Sequence, residues 1–244
     1  MLVVGLGEIG SALLEIVKGV HDATGYDIKN PTELPTKVDV LHVCFPYTEE
    51  FASHVVEYAK KTRPKLVLIE STVQLGTTNQ IAEFLQVLQT HVVHSPVRAR
   101  KKDGFKWGFY NYTKFIGGCD QEGAKLADEY YKSLGFKTRI CQSALEAEFS
   151  KLIDLAYFGV MLGWNQEMRR IIEKFNLNFE DVSAFLDSNT LESGFKFPRP
   201  VYDGEPIGGH CIIPAVQLLN DAFNSKFLEN VLESNERRKK ERLS

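Results

Sequence analysis

The sequence predicts an α/β fold: a doubly wound parallel sheet of the Rossmann type, followed by an all-helical domain. Three observations predict it. Short apolar segments with the character of strands alternate with helical segments as far as residue 141, and such alternation is typical of parallel sheets with right-handed crossovers. A glycine-rich turn joins the first strand to the first helix, and beyond residue 144 the apolar periodicity is only helical. We therefore divide the chain into residues 1–141 and 142–244.

The elements of the first domain follow in order from the apolar pattern. The chain opens on a strand at residues 1–4, followed by a turn at residues 5–10 and a helix at residues 11–20. Further strands are predicted at residues 24–28, 38–45, 65–70, 91–94, 114–118 and 137–141. Helices at residues 49–61, 78–88 and 121–134 complete this domain.

One long helix at residues 144–175 is predicted to form the base of the second domain, well beyond the usual ~12 residues. Its apolar side chains lie on nearly every face, and a helix of that kind must be buried on every face. A chain of 244 residues offers little to cover it. We therefore expect a second copy of the chain to cover this helix and the protein to form a homodimer through it.

Composition argues against several classes of partner and site. The net charge is −3 at pH 7, so no general attraction to nucleic acid is expected. No apolar run approaches the ~18 residues of a membrane span, and we expect no secretory leader before the first strand. The four cysteines form neither a CxxC pair nor a cysteine–histidine metal pattern. We expect no membrane association, no metal site and, since free thiols suggest a reducing compartment, a cytoplasmic location.

The turn at residues 5–10 has the spacing GxGxxG between a strand and a helix. In that context Gly5 makes the tight turn, Gly7 lets the backbone approach a pyrophosphate, and Gly10 allows close packing of helix on strand. The backbone of Glu8 and Ile9 then presents free N–H groups and the positive end of the helix dipole to the phosphates. The pattern predicts a dinucleotide site; a plain tight turn is the alternative.

Asp27, at the end of the second strand, is expected to accept hydrogen bonds from the ribose hydroxyls. A carboxylate there repels a 2′-phosphate, which favours NAD over NADP, although Lys29 nearby weakens that preference. The alternative is a solvated strand end. Pro46 and Thr72, each close to the end of a later strand, are also expected at the cofactor site.

Four later motifs carry a more specific resemblance. They are KLVLIESTVQLGTT at residues 65–78, HSP at 94–96, EAEFSK at 146–151 and GGHC at 208–211. Together they resemble, in the same order along the chain, the motifs of the UDP-glucose/GDP-mannose dehydrogenase family. The chain looks like a short form of that family, without its third, nucleotide-binding domain.

The resemblance implies a function and a set of site residues. Enzymes of this family oxidise the alcohol of a sugar nucleotide to an acid with two molecules of NAD. It implies that Cys211 is the nucleophile that traps the aldehyde, that Lys151 stabilises the oxyanion, and that Thr72 holds a water or a substrate oxygen. Gly208, Gly209 and His210 would then lie against the substrate.

The sequence departs from the family at four positions where the family has polar groups. Val97 and Lys101 occupy positions of glutamates, Leu155 that of an asparagine, and Ala215 that of an aspartate. Hydrolysis of a thioester therefore lacks an obvious base.

A basic loop, containing Arg98, Arg100, Lys101 and Lys102, lies on the expected substrate side. Arg98 and Arg100 are predicted to hold a phosphate or carboxylate of a small anionic substrate. A solvated charged loop is the alternative.

Two further functions stay open. One is a two-electron dehydrogenase similar to the β-hydroxyacid dehydrogenases, in which Lys151 is the general acid/base and Cys211 takes no part. The other is a dinucleotide-binding homologue without catalysis, which the missing carboxylates suggest. Structural roles are also open: Lys151 paired with Glu148 or Asp154, Cys211 as a buried thiol, and Thr72 as a turn cap.

Overall fold

A computed structural model describes residues 1–243. The chain divides into two compact units, unit 1 at Met1–Lys151 and unit 2 from Leu152 onward. The division falls within the long helix α6 (Ala144–Lys174), whose first two turns belong to unit 1 and the remainder to unit 2. The domain boundary after residue 141 stays a prediction from the sequence.

Unit 1 is built on one sheet. Within residues 1–243 its seven strands lie in the order β2-β1-β3-β4-β5-β6-β7. They are β1 (Leu2–Val4), β2 (Thr24–Tyr26), β3 (Val40–Val43), β4 (Leu66–Ile69), β5 (His91–His94), β6 (Lys114–Gly118) and β7 (Thr138–Ile140). The first five strands in chain order pair in parallel, and β7 pairs in parallel with β6. The predicted doubly wound parallel sheet is confirmed.

The pairing of β5 with β6 is the antiparallel exception. No crossover returns the chain to the opposite edge after β5. Residues 95–113 stay instead at the carboxyl edge of the parallel strands, and β6 starts from that edge. The predicted basic loop consequently lies at the edge where parallel sheets bind ligands.

Helices cover both faces of the sheet. In chain order they are α1 (Glu8–Lys18), α2 (Phe51–Thr62), α3 (Thr77–Leu85), α4 (Phe105–Asn111) and α5 (Gln121–Ser133). One core cluster joins strand residues to α1 and α5, and another joins them to α2 and α3. Strands β3 and β4 are therefore buried along their whole length, as expected for a parallel sheet covered on both faces.

Unit 2 is helical. It comprises the rest of α6 with α7 (Phe179–Glu192), α8 (Ile212–Phe223) and α9 (Lys226–Glu241). Close packing of α6 depends on Gly159, because a Cβ there would lie 2.8 Å from a methyl of Val216. A Cβ on Gly163 would lie 3.5 Å from Val231, an ordinary van der Waals contact. No helix within residues 1–243 has the length and apolar character needed to cross a membrane.

A buried ionic cluster joins the ends of β4, β5 and β6. The ammonium of Lys114 donates to the carboxylate of Glu70 and to Ser95 O, and both charged side chains are almost fully buried. Glu70 also accepts hydrogen bonds from His42 Nδ1 at 2.9 Å and from the Tyr131 hydroxyl at 2.8 Å. Burial alone raises the pKa of Glu70, but attraction to Lys114 and the bond from His42 outweigh it and lower the pKa to about 2.

We predict that Lys114→Met lowers the free energy of unfolding by about 3–5 kcal/mol, because it leaves the Glu70 carboxylate buried without its cation. Adding Glu70→Gln should restore part of the loss by removing the uncompensated charge. Urea unfolding followed by circular dichroism measures both variants. Lys65→Met, which removes an exposed ion pair with Asp39, is the control and should change stability little. A Lys114→Met variant as stable as the parent would contradict this account of the cluster.

Candidate functional site

The glycine turn between β1 and α1 has no room for side chains at two of its positions. Gly5 has φ +89°, and a Cβ on it would lie 2.7 Å from Phe45 N. A Cβ on Gly10 would lie 1.8 Å from Gly5 O. Only glycine fits at either position, because the backbone of α1 rests directly on the turn and the turn rests directly on the segment after β3.

Gly7 differs from these two glycines. It precedes α1 as the N-cap residue, and no described atom outside its immediate neighbours lies within 4 Å of a Cβ built on it. The exposed residues Gly7 and Glu8, with Ile9 beside them, form the start of α1, whose first N–H groups have no partner within the helix. The turn is therefore an open cradle at a helix N-terminus, which fits a pyrophosphate.

Asp27 lies beside this cradle. Its carboxylate accepts the N–H of Leu6 at 2.7 Å and the N–H of Lys29 at 2.9 Å. The hydrogen bonds from Lys29 and Leu6 hold the pKa of Asp27 below its usual value, so the group is ionised at neutral pH. An acidic group thus stands next to the glycine turn, in the position suited to a ribose diol.

The segments after β3 and β4 lie side by side. The Ser71 hydroxyl donates to Phe45 O at 2.6 Å, joining the stretch that contains Pro46 to the stretch that contains Thr72. Pro46 is exposed and Thr72 is partly exposed. Both are therefore accessible at the carboxyl edge of the sheet, on the same edge as the glycine turn.

Lys151 reaches this edge from α6. Its Nζ donates to Val97 O at 3.0 Å, just beyond β5. Next to it, His94 is fully buried with its Nε2 against Ser71 O at 3.1 Å, and burial lowers the pKa of His94 to about 4. The His94 Nδ1 atom has no hydrogen-bond partner among residues 1–243. The Val97 side chain is packed in the core, so it supplies no substitute for the family's glutamate.

Glu148 fixes the first turns of α6 in place, a role the sequence did not reveal. Its carboxylate accepts the N–H of Gly76 at 2.6 Å, the N–H of Thr78 at 2.8 Å and the Thr78 hydroxyl at 2.5 Å. Burial raises the pKa of Glu148, against the opposing effect of these bonds. The carboxylate thus caps the start of α3 and holds Lys151, three residues on, over the carboxyl edge of the sheet.

The basic loop is ordered by contacts of its own. The Arg98 guanidinium lies 5.4 Å from the ring centre of Tyr112 and 5.6 Å from that of Phe115. Arg100 pairs with Asp103 at 2.6 Å. Both arginines remain at least partly exposed at the carboxyl edge, but each already has a partner within the loop or on β6.

The GGHC segment belongs to unit 2. Cys211 is exposed and forms the N-cap position of α8, so the interpretation of Cys211 as a buried thiol is wrong. Gly208, Gly209 and His210 are also exposed, and no described atom outside their immediate neighbours lies within 4 Å of a Cβ built on either glycine. Unit 2 therefore presents the thiol on an open glycine-rich segment.

Unit 1 thus brings together most of the predicted site residues at one edge of its sheet: the residues of the glycine turn, Asp27, Pro46, Thr72, Arg98, Arg100 and Lys151. Unit 2 carries Gly208, Gly209, His210 and Cys211. The role of each of these residues stays a prediction.

Comparison with known sequences finds relatives that share one name. No protein-family model matches the chain. UDP-N-acetyl-D-mannosamine dehydrogenase from Methanocaldococcus jannaschii is 26% identical in an alignment of 243 residues that covers 92% of this chain and 54% of that protein. The protein of the same name from Pyrococcus horikoshii is 28% identical over 157 residues, 62% of this chain and 36% of that protein.

Comparison with solved structures gives the same fold. A UDP-D-ManNAc dehydrogenase from Pyrococcus horikoshii superposes with a TM-score of 0.84 at 21% identity, covering 98% of this chain and 69% of that one. A 3-hydroxyisobutyrate dehydrogenase from Mycobacterium tuberculosis gives a TM-score of 0.70 at 15% identity, covering 95% and 90%. The chain spans about half the length of the curated relatives it matches. The resemblance predicted from the motifs is thereby confirmed: the chain is similar in sequence to proteins named UDP-N-acetyl-D-mannosamine dehydrogenase, and it shares the fold of solved sugar-nucleotide dehydrogenases.

Proposed function

We propose that the chain binds NAD at the glycine turn and oxidises an alcohol on an anionic, sugar-like substrate. The observation that carries the proposal is the cradle itself. Gly5 and Gly10 are fixed by backbone contacts, and Gly7 between them is open. An ionised carboxylate, Asp27, is bonded to the same turn. These features match the needs of a pyrophosphate next to a ribose with a free 2′-hydroxyl.

The bound dinucleotide would supply the acceptor for the hydride that leaves the alcohol carbon. The chain holds its phosphates with the N–H groups at the start of α1 and excludes a 2′-phosphate through Asp27. Pro46 and Thr72, which are accessible beyond β3 and β4, would line the same site. Lys151 would donate a hydrogen bond to the substrate oxygen and stabilise the negative charge that develops there.

Two features support an anionic, sugar-like substrate. The relatives that match most of the chain are named for the UDP-N-acetyl-D-mannosamine that they oxidise, and the loop with Arg98 and Arg100 lies at the carboxyl edge of the sheet. Either arginine would have to exchange its present partner, an aromatic ring for Arg98 and Asp103 for Arg100, for a phosphate or carboxylate of the substrate.

Cys211 offers a covalent route to the acid. Its thiolate would add to the carbon of the aldehyde formed by the first oxidation, and the second oxidation would leave a thioester that water hydrolyses. The balance is one alcohol, one water and two NAD giving one carboxylate, two NADH and three protons. The exposed position of Cys211, on a segment with open glycines, supports a thiol that meets substrate.

A simple two-electron oxidation is the second candidate. Val97 and Ala215 are packed in the core, so neither position offers a base for thioester hydrolysis, whereas Lys151 is retained. The solved 3-hydroxyisobutyrate dehydrogenase has the same fold over 90% of its own length. In this candidate Lys151 is the general acid/base for the alcohol, and Cys211 takes no part.

A second copy of the chain is the proposed cover for one face of α6. The apolar residues Phe149, Ile153, Tyr157, Trp164 and Ile171 are exposed in the single chain. Their spacings of four and seven residues place them on one face of the helix. A homodimer would bury this stripe, and the sequence predicts that a second copy of the chain covers this helix.

We predict that Gly7→Ala weakens NADH binding by about tenfold or more, equivalent to about 1.4 kcal/mol, because its methyl group occupies the space for the pyrophosphate. The fold should persist with a loss of about 1 kcal/mol or less, since the Cβ meets no described atom and φ is −69°. Fluorescence titration with NADH and thermal unfolding measure the two effects. Gly163→Ala is the control and should bind as the parent does. Unchanged affinity in Gly7→Ala would place the phosphates elsewhere.

We predict two NADH per molecule of substrate consumed, with UDP-N-acetyl-D-mannosamine as the first substrate to test and hydroxy acids as the comparison panel. Cys211→Ser should then abolish formation of the acid, because the hydroxyl is a far weaker nucleophile than the thiolate. Absorbance at 340 nm gives the NADH formed, and product analysis gives the substrate consumed; their ratio is the test.

A ratio of one, with activity unchanged in Cys211→Ala and abolished in Lys151→Met, would favour the second candidate. NADH binding without turnover across the panel would leave a binding homologue.

We predict that the chain elutes as a dimer, at twice the 27.6 kDa of one chain. Trp164→Glu should convert it to a monomer, because a carboxylate in an apolar interface is costly to bury. Light scattering coupled to size exclusion gives the mass. Lys125→Glu, an exposed change on α5, is the matched control and should remain a dimer. A monomeric parent chain would refute the homodimer.

A further inference from the structure

We propose that Lys101 sets the charge of the phosphate cradle by neutralising Glu8, and thereby raises the affinity of the chain for the dinucleotide. The inference rests on the proposed function of the glycine turn. It adds a residue from the loop between β5 and β6 to a phosphate cradle otherwise formed by the turn after β1 and the start of α1.

The contact joins two distant parts of the chain at the cradle. Lys101 Nζ lies 2.5 Å from Glu8 Oε1, and the two residues are separated by 93 positions in sequence. Glu8 is the first residue of α1, directly after the open Gly7. Lys101 begins a short 3₁₀ turn, Lys101–Asp103, in the loop that stays at the carboxyl edge of the sheet. The loop therefore delivers a cation to the helix N-terminus that the phosphates would use.

The negative charge of Glu8 opposes the binding of a pyrophosphate at the cradle. A carboxylate in the first turn interacts favourably with the helix dipole, as a pyrophosphate would, so the two anions compete for the same positive field. A pyrophosphate brings two further negative charges close to Glu8. Lys101 cancels the Glu8 charge, and the residual field of the N–H groups is then available to the ligand. Because the Glu8 and Lys101 side chains are 47% and 79% exposed, the effect must depend on salt.

A second ion pair on the same helix provides a built-in control. Lys106, at the start of α4, pairs with Glu15 of α1. Like the first pair, it joins the segment between β5 and β6 to α1, and the two acidic residues lie on the same face of that helix. Glu15 follows Glu8 by seven residues, a rise of about 10.5 Å along the helix. That separation exceeds the screening length of about 8 Å at 0.15 M salt. The second pair should hold the segment in place without affecting the phosphates.

The test is a set of NADH dissociation constants measured by fluorescence titration on the parent chain, Lys101→Met, Glu8→Gln, the double variant and Lys106→Met, with the melting temperature of each. Charge neutralisation predicts a definite order. Lys101→Met should bind about three- to tenfold more weakly than the parent and Glu8→Gln more tightly. The double variant should bind like the parent, since the cradle is again neutral, and Lys106→Met should bind like the parent. At 1 M salt the differences should shrink to within about twofold, because screening then acts over about 3 Å.

Each other outcome overturns the inference. Equal dissociation constants for the parent and Lys101→Met would show that the Glu8 charge does not reach the ligand. Equal weakening in Lys101→Met and Lys106→Met would show that docking of the loop matters rather than charge at the cradle. No binding by the parent chain at any salt concentration would overturn the proposed function itself, and this inference with it.

Discussion

The contact of α1 with the turn after β1 is the constraint on which the rest of unit 1 depends. The helix backbone approaches the turn so closely at Gly10 that a single added carbon would overlap Gly5 O, and the turn itself lies so close to the segment after β3 that a carbon added to Gly5 would overlap Phe45 N. This approach aims the N-terminus of α1 at the carboxyl edge of the sheet. The other residues of the candidate site in unit 1 reach the same edge from segments that follow the strands or from the first turns of α6.

Two buried carboxylates hold that edge together. Glu70 joins the ends of β4, β5 and β6 through Lys114, and Glu148 caps α3 from α6. Burial opposes the charged form of both carboxylates. Attraction to Lys114 more than compensates at Glu70, whose pKa falls, while the pKa of Glu148 stays raised because its donors are neutral N–H and O–H groups. The edge is therefore held by polar groups whose partners come from distant parts of the chain.

Local spacing explains what the sequence could predict. The glycine turn, the acidic end of β2 and the alternation of strands and helices are all encoded within a few neighbouring residues, and the parallel sheet is confirmed. The partners of Glu70 and Glu148 could not be predicted, because they lie at least 28 and at least 70 positions away in sequence, respectively. The antiparallel β6 and the pairing of Lys101 with Glu8 depend on the path of the loop after β5, which no periodicity specifies. For Cys211 the sequence motif identified the residue, but nothing in the sequence predicted that its side chain is exposed.

The most direct test of the account is calorimetric titration of the parent chain with NADH and, separately, with NADPH. The account predicts saturable binding of one NADH per chain, and weaker binding of NADPH, since the ionised Asp27 repels the additional 2′-phosphate. Absence of heat and of any thermal shift with either nucleotide would contradict the central claim that the turn between β1 and α1 is a dinucleotide site.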